Sequence, residues 1–415
     1  MFLELTESRW GLRFSHGNAT VRSDLLFFAV RKLFGSEHAL DDNKFVGSPF
    51  YLFAALAQRL PLELNSTTYE GCLHEQLLVE SHMRVCMKIE NSYRSAWSTN
   101  SPSEPILSEA ASLFMRAHPQ FSMSDCLRIT LSDLPIAQGD RGELIAMALL
   151  TVARDNIVKS MLLQIDRLPT FSVYSFLQNL FATDISTHMP SFYHSQEGIN
   201  LREQFKGSYM HFSHFIKPHT QALPKSRSEL LPFIARGAAV VSASNMASWD
   251  ILLPYLFWDD RLESWNVGYI LIQVKNDTNY CVTHVETLLD SMDPFTLGIL
   301  EPDDVPVPMV RIVLSLTREV PKLHQIKMEK PRSQADFTTY DYFCEGLSEN
   351  VYKPITSPKD AKDWDDVLRN NDSNMYKDHI AGESFLRRQY PLHTEEQTNA
   401  FGHWEEMNES PRFPN

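Results

Sequence analysis

Three polar residues interrupt apolar segments in the middle of the chain, and together they could support metal-dependent chemistry. Asp250 opens one apolar segment, and Gln273 and Lys275 lie near the end of the next. A divalent cation such as Mg²⁺ or Mn²⁺ prefers hard oxygen ligands. We predict as metal ligands the Asp250 carboxylate, the Gln273 side-chain carbonyl and the Val274 backbone carbonyl. Lys275 would position a water molecule and offset charge that develops on a phosphate.

This chemistry requires the three side chains to meet at the ends of neighbouring strands. Side chains alternate along a strand, so Gln273 and Lys275 project to one face and Val274 to the other. The spacing between Asp250 and Gln273 suits two adjacent strands joined by a loop. Glu229, on a helix predicted just before these strands, is a further candidate for a catalytic or metal-binding carboxylate.

The elements around these residues predict a buried mixed sheet. The apolar runs are short and continuous, which is typical of strands that are covered on both faces. The predicted order is helix, strand, strand, strand, helix, strand: Ser226 to Arg236 (closed by Gly237), Ala238 to Ser244, Trp249 to Phe257, Val267 to Asn276, a helix containing Val282 to Leu289, and Met309 to Leu316.

The first 200 residues have mainly helical patterns. Asp140 followed by Glu143 resembles a capping box, which predicts that a long apolar helix runs from Glu143 to Gln164. The other predicted helices are Ser23 to Leu33, Pro49 to Arg59, His74 to Glu90, Glu109 to Ala117, and the piece SYMHFSHFIK around residue 212. His211 and His214 have a spacing that permits metal binding on such a helix, but we favour a packing role for them because no acidic or Cys partner is nearby in the sequence.

Composition limits the class of protein. The chain has 415 residues, 43% hydrophobic residues and a formal net charge of -14, so it predicts a globular protein and argues against general nucleic-acid binding. Five widely spaced cysteines without a Cys-x-x-Cys pair indicate an intracellular protein, in the nucleus or cytoplasm. No secretory signal or membrane span is predicted. Oligomeric state cannot be inferred.

The order of elements and the residues Asp250, Gln273 and Lys275 resemble the PD-(D/E)XK nuclease superfamily. The resemblance implies that residues 201–345 form a three-layer α/β/α restriction-endonuclease-like domain with a mixed sheet. Helical patterns and composition predict a helical N-terminal domain (1–200) and an acidic, loosely ordered tail (346–415), so the fold class is α/β. It implies a magnesium- or manganese-dependent hydrolase that acts on nucleic acid. Gln273 stands where the superfamily usually has Asp or Glu, which removes one negative charge from the metal site.

A second resemblance covers the helical part and the central segment. Phrases such as RGELIAMALLTVARD, ARGAAVVSASN and ILIQVKND resemble uncharacterised proteins that mushroom-forming fungi encode in many copies. This resemblance implies a fungal source and supplies no function.

Two alternatives to a nuclease stay open at this point. The chain could be a catalytically inactive member of the fold that binds protein or nucleic acid. Asp250 and Lys275 could also form a buried ion pair and have no catalytic role. Basic residues along a cleft would favour a nuclease, and the candidates are Lys206, Lys217, Lys225, Arg227 and Arg236.

Overall fold

The fold was analysed on a computed structural model. It describes the residues 16–45, 48–61, 76–80, 83–89, 97–100, 103–118, 121–131, 138–160, 169–191, 198–218, 223–242, 248–258, 261–277, 280–301, 304, 306–328 and 337–369. Within these segments, no helix has both the length and the apolar character needed to cross a membrane.

The helices are concentrated before residue 210 and recur between and after the strands. Their bounds are α1 Ala19–Phe34, α2 Pro49–Arg59, α3 Pro105–Ala117, α4 Met123–Leu131, α5 Gln138–Ser160, α6 Val173–Leu180, α7 Leu201–Phe205, α8 Arg227–Arg236, α9 Val285–Ser291 and α10 Pro358–Arg369.

A seven-stranded mixed sheet forms the centre of the fold. A separate hairpin pairs β1 (Val85–Ile89) with β2 (Trp97–Asn100). The large sheet has the strand order β3-β4-β5-β6-β7-β9-β8. Its strands are β3 His214–Ile216, β4 Ala238–Val241, β5 Ile251–Leu256, β6 Val267–Lys275, β7 Met309–Ser315, β8 Lys322–Ile326 and β9 Thr339–Glu345. Strand β5 runs antiparallel to its neighbours β4 and β6, whereas β7 is parallel to both β6 and β9.

Each face of the large sheet packs against helices. On one face, Ile270 and Ile272 of β6 belong to a core cluster that also contains buried residues of α1 to α6. On the other face, Leu271 belongs to a second cluster with Leu230 of α8 and Leu289 of α9. Alternate residues of one strand thus serve two cores, which explains why the sequence of β6 is continuously apolar.

The C-terminal part of the described chain is packed into the first of these clusters. Val351, Tyr352 and Trp364 are buried there, together with Val367 and Leu368 of α10. We expected a loosely ordered tail from residue 346 with one short helix near 361–369. The helix is present, but the packed structure continues through Arg369, because α10 buries an apolar stripe against α4 and α5. The rest of the predicted tail lies outside the described residues.

A network of buried charges joins three helices to the edge of the sheet. Arg59 of α2 donates two hydrogen bonds to the Asp155 carboxylate of α5, at 2.7 and 3.1 Å, and a third at 2.6 Å to the carbonyl of Ser213, which precedes β3. Arg154 bonds both Asp155 and Glu109 of α3. Burial alone would raise the pKa of Asp155, but the guanidinium groups of Arg59 and Arg154 outweigh it and lower the pKa to about 2.

The predicted order of helix, strand, strand, strand, helix, strand is confirmed as α8, β4, β5, β6, α9, β7. The predicted first strand is shorter than expected within the described residues, ending at Val241. Ser226 caps α8, and Gly237 ends it in the left-handed region with φ 60°. The domain boundaries at residues 200 and 345 stay predictions.

Two helix predictions were wrong. The piece around residue 212 is extended and contains β3, so His211 and His214 do not share a helix face. The second half of the predicted helix His74 to Glu90 is strand β1.

We predict that α10 is integral to the core. Trp364→Ala should lower the free energy of unfolding by about 3–5 kcal/mol, because its side chain is 1% exposed and its removal leaves a cavity. Urea unfolding measures the change. Trp258→Ala is the matched control: that side chain is 48% exposed, and the change removes its ring contacts with Trp265 and Phe257, about 0.5–1.5 kcal/mol each. Equal losses in both variants would contradict the assigned position of α10.

We also predict that Asp155 contributes to acid sensitivity. A carboxyl whose pKa is lowered by folding stabilises the protein above its unfolded pKa, and this contribution disappears as pH falls from about 4 to about 2. Asp155→Asn should cost about 3–5 kcal/mol at pH 7, because Arg59 stays buried without a counter-charge and Arg154 keeps only Glu109. The cost should shrink when unfolding is measured near pH 3.

Asp365→Asn provides the control for Asp155→Asn. Its carboxylate pairs with Arg369 on an exposed face of α10, where such pairs contribute little. A change below about 0.5 kcal/mol is expected there, and a loss at Asp155 of similar size would contradict the role of the network.

Candidate active site

Asp250 lies where β5 begins, and its backbone is held between two neighbouring strands. Its N–H donates to the Ile272 carbonyl of β6 at 2.8 Å, and its carbonyl accepts from the Ser242 N–H at 2.7 Å, just after β4. The carboxylate therefore projects from a fixed position at one end of the sheet. It is 6% exposed.

Two short hydrogen bonds orient the Asp250 carboxylate. Gln273 Nε2 donates to Asp250 Oδ2 at 2.5 Å, and the backbone N–H of Val274 donates to the same oxygen at 2.6 Å. Burial raises the pKa of Asp250 to about 6, although the Val274 N–H and the charge of Lys275 both favour the ionised form. The predicted pairing of Asp250 with Gln273 is thus present in the structure.

The carbonyl oxygen of the Gln273 side chain has no hydrogen-bond partner in the described structure. Gln273 is 2% exposed, and its Oε1 is buried. The amide cannot turn over without losing the bond that Nε2 makes to the carboxylate, so Oε1 is held away from Asp250. A buried acceptor without a donor costs free energy, about 1–3 kcal/mol. The site therefore contains an oxygen that is available to a ligand.

The backbone N–H and C=O of Val274 both point toward the Asp250 side of β6. In a strand, the N–H and C=O of one residue point to the same side. The Val274 N–H reaches the Asp250 side chain, beyond the last β5–β6 pair between Ile251 and Ile272. Its carbonyl therefore points toward the end of β5, as the predicted ligand role requires.

Glu143 joins this site from the opposite layer of the fold. The helix α5 approaches the end of β6 closely at Gly142, where an added Cβ would lie 3.1 Å from Cβ of Asn276 and 3.3 Å from Val274. The next residue, Glu143, is partly buried. Burial and the charge of Asp250 together raise the pKa of Glu143 to about 7, while Lys217 acts in the other direction. The charges of Glu143, Asp250 and Lys217 thus influence one another near the end of β6.

Lys275 does not form an ion pair with Asp250. Its ammonium lies 6.0 Å from the centre of the Tyr280 ring, and within the described residues it makes no hydrogen bond or salt bridge. Its charge nevertheless reaches Asp250, because it is one cause that lowers the pKa of that carboxyl. The alternative of a buried contact pair between these two residues does not describe this arrangement.

Glu229 is not brought to the site. Its carboxylate accepts from the Lys225 N–H at 2.7 Å at the start of α8, and the neighbouring Arg227 donates to the carbonyl of Trp265. Trp265 precedes β6, so this helix end lies at the opposite end of the β5–β6 pair from Asp250. The predicted catalytic role of Glu229 is not supported.

Most of the predicted basic residues are engaged elsewhere. Lys206 pairs with Glu203, Arg227 pairs with Asp304 at 2.7 Å, and Arg236 bonds to Ser103. Lys225 is exposed beside Glu229. Among the five, Lys217 is the one that acts on the site.

The donor set suits a hard divalent cation. Among the residues with described positions, no group of three or more His, Cys, Asp or Glu side chains could hold a metal. The site instead offers two carboxylates, the orphan amide oxygen of Gln273 and a backbone carbonyl. Mg²⁺ is commonly held by one or two carboxylates and completed by water and substrate phosphate. The residues present therefore fit such an ion.

Sequence reasoning missed Glu143 because it assigned that residue to a capping box. The helix begins at Gln138, so Asp140 lies inside it and is not its N-cap. Glu143 consequently has no capping role, and its carboxyl is coupled to the charge of Asp250. The sequence did contain a signal for Glu143: a charged residue near the start of a helix that is apolar on most of its other sides. Acidic residues are common at helix N-termini, however, so this signal does not separate a site residue from an ordinary one.

Comparison with known proteins gives a family without a function. A family model described as "Domain of unknown function (DUF8736)" matches residues 71–291, just over half of the chain. No curated protein and no solved structure matches the chain. The matched segment includes Glu143, Asp250, Gln273 and Lys275 and ends before β7. This chain belongs to the DUF8736 family.

Proposed function

We propose that the chain is a metal-dependent nuclease whose active site is formed by Glu143, Asp250, Gln273, Val274 and Lys275. The observations that carry the proposal are the contact of Asp250 with Gln273, whose amide oxygen has no partner, and the close approach of α5 to the end of β6 at Gly142, where the neighbouring carboxyl of Glu143 is coupled electrostatically to Asp250. Buried groups of this kind are concentrated at functional sites.

The fold supports the same proposal. Helices cover both faces of a mixed sheet, and α8, β4, β5, β6, α9 and β7 follow one another in the order that the PD-(D/E)XK resemblance implies. We infer a restriction-endonuclease-like α/β/α layering, extended by β3 on one side and by β9 and β8 on the other.

Asp250, Glu143, Gln273 Oε1 and the Val274 carbonyl would hold Mg²⁺ or Mn²⁺. Such an ion, when bound, polarises a phosphate and lowers the pKa of a bound water. Asp250 supplies a negative charge at a fixed position, because two hydrogen bonds orient its carboxylate. Lys275 holds a positive charge that no described residue neutralises by contact, so it can orient the attacking water and offset charge on the phosphate oxygens.

A catalytically inactive binding module is the second candidate function. The positions of Lys206, Arg227 and Arg236 favour it, because these residues are paired away from the site and do not form a basic cleft. Metal binding and cleavage assays separate the two candidates.

We predict that divalent ions stabilise the folded protein. Millimolar Mg²⁺ or Mn²⁺ should raise the melting temperature relative to EDTA, since a ligand at about 100 times its Kd adds ~2.7 kcal/mol to the stability. Asp250→Ala should abolish the rise. Gln273→Glu should melt lower in EDTA, because two carboxylates then meet, and should bind the ion about tenfold more tightly, or ~1.4 kcal/mol.

Glu229→Gln is the control for the metal titration, because its carboxylate lies at the other end of the β5–β6 pair. This variant should keep the full ion-dependent rise. If neither wild type nor Gln273→Glu shows an ion-dependent shift, the metal site must be abandoned.

We further predict that cleavage depends on Glu143 and Lys275. On single-stranded and duplex DNA and RNA with Mg²⁺ or Mn²⁺, each of Glu143→Gln and Lys275→Ala should reduce the rate by about 10²–10³-fold. Lys275→Ala should keep the ion-dependent rise in melting temperature, whereas Glu143→Gln should weaken it. Lys225→Ala, exposed and remote, should cleave at the wild-type rate. Metal binding without cleavage of any of these substrates would favour the inactive module.

A further inference from the structure

Beside the candidate active site, the neighbouring strand β7 ends in a second group of polar residues. In the parallel register, Lys275 of β6 lies beside Ser315 of β7, and Ser315 lies beside Glu345 of β9. Neighbouring strands are ~4.8 Å apart, and paired residues of parallel strands project to the same face. Lys275 and Ser315 are therefore adjacent at the carboxyl ends of these strands, where open α/β sheets commonly bind ligands.

The hydroxyl of Ser315 is buried and unpartnered. Ser315 is 0% exposed, and its Oγ has no hydrogen-bond partner in the described structure. Its backbone carbonyl is satisfied, since it accepts from the Gly346 N–H at 2.8 Å. Thr317, two residues later, is buried and has an unpartnered hydroxyl as well. Buried polar atoms in folded proteins are nearly always bonded to protein or to ordered water, so each of these hydroxyls needs water or a ligand as its partner.

The charge beside Ser315 is positive. Lys275 has a half-buried ammonium without a hydrogen-bond acceptor among the described residues. The nearest carboxylate on β9, that of Glu345, is engaged by Arg318 at 3.2 Å and by His324 at 2.7 Å. Arg318 and His324 thus bind the Glu345 carboxylate, whereas no described carboxylate contacts the Lys275 ammonium.

We propose that Lys275 and Ser315, with Thr317, form a binding position for a phosphate group of the nucleic-acid backbone, next to the scissile position at Asp250. This inference rests on the proposed function for the origin of the phosphate. An ammonium and hydroxyl groups are typical donors to phosphate oxygens. Because Ser315 is 0% exposed, a bound phosphate reaches its hydroxyl only when neighbouring side chains move, and the flexible Lys275 lies beside it in the register.

The test uses the full chain in EDTA with inorganic phosphate as the probe, at ionic strength held constant with NaCl. Wild type should melt higher as phosphate increases, and the rise should saturate. Ser315→Ala should melt higher than wild type without phosphate, because an unsatisfied buried hydroxyl is removed. Its phosphate affinity should fall about tenfold, the change that ~1.4 kcal/mol of binding energy produces.

Ser208→Ala is the matched control. Ser208 is also buried, but its hydroxyl accepts from Val173 and donates to Phe205. This variant should melt lower and keep the wild-type phosphate affinity. Thr317→Val, which keeps the side-chain shape, provides a second measurement if Ser315→Ala does not fold.

The results distinguish three possible occupants of the site: internal water, inorganic phosphate and the phosphate of a nucleic-acid backbone. A phosphate response that is equal in wild type, Ser315→Ala and Thr317→Val would mean that the hydroxyls hold only internal water, and would overturn the proposal, as would the absence of any response. Binding of a short oligonucleotide in EDTA, weakened in Ser315→Ala, would identify backbone phosphate as the ligand; binding of inorganic phosphate alone would refute that identification. The phosphate experiment contains no divalent ion. A failed metal titration would therefore refute the nuclease proposal without changing the phosphate result, and a failed phosphate titration would leave the metal result unchanged.

Discussion

The buried charges around Asp155 fix the position of α5, and the candidate site depends on that position. Arg59 and Arg154 both bind Asp155, Arg154 also binds Glu109, and Arg59 reaches the carbonyl of Ser213 just before β3, so the network joins α2, α3 and α5 to the sheet. A charge in such a place cannot shift without losing its partners, so the network admits one register of the helices. The helix rises about 1.5 Å per residue, which places Glu143 roughly 17 Å from Arg154 along the same face. One end of α5 is thus anchored, and the other end presents a carboxylate.

At the other end of α5, the sheet fixes the position of Asp250. Asp250 is held between Ser242 and Ile272 through its backbone and is oriented by Gln273 through its side chain. Gly142 allows the helix to approach β6 closely, and at this distance the charge of Asp250 raises the pKa of Glu143. A glutamate at position 273 would place a third carboxylate there. The amide offers an oxygen ligand without that repulsion and leaves its own carbonyl unsatisfied when no ligand is present.

The sequence predicted those parts of the fold that local patterns determine. Continuous apolar runs identified β4 to β7, and the cap at Ser226 and the glycine at 237 bounded α8. Strand β9 was missed because Asp341 makes it look polar; its carboxylate is buried only because Arg311, 30 residues away, bonds to it across the sheet at 2.7 Å. The nearness of Asp250 and Gln273 followed from a spacing that suits two adjacent strands, whereas the place of Glu143 and the orphan hydroxyl of Ser315 depend on distant segments, which no local pattern contains.

The packing of α10 has a consequence for how the chain is made. Leu25 of the first described helix and Leu368 of the last belong to the same buried cluster. A ribosome releases the chain from its N-terminus onward, so the apolar faces of α4 and α5 are synthesised long before Trp364 can cover them. The protein must therefore pass through a nascent state with exposed apolar surface, and a product that terminates before residue 364 would retain that surface and become a substrate for chaperones and proteases.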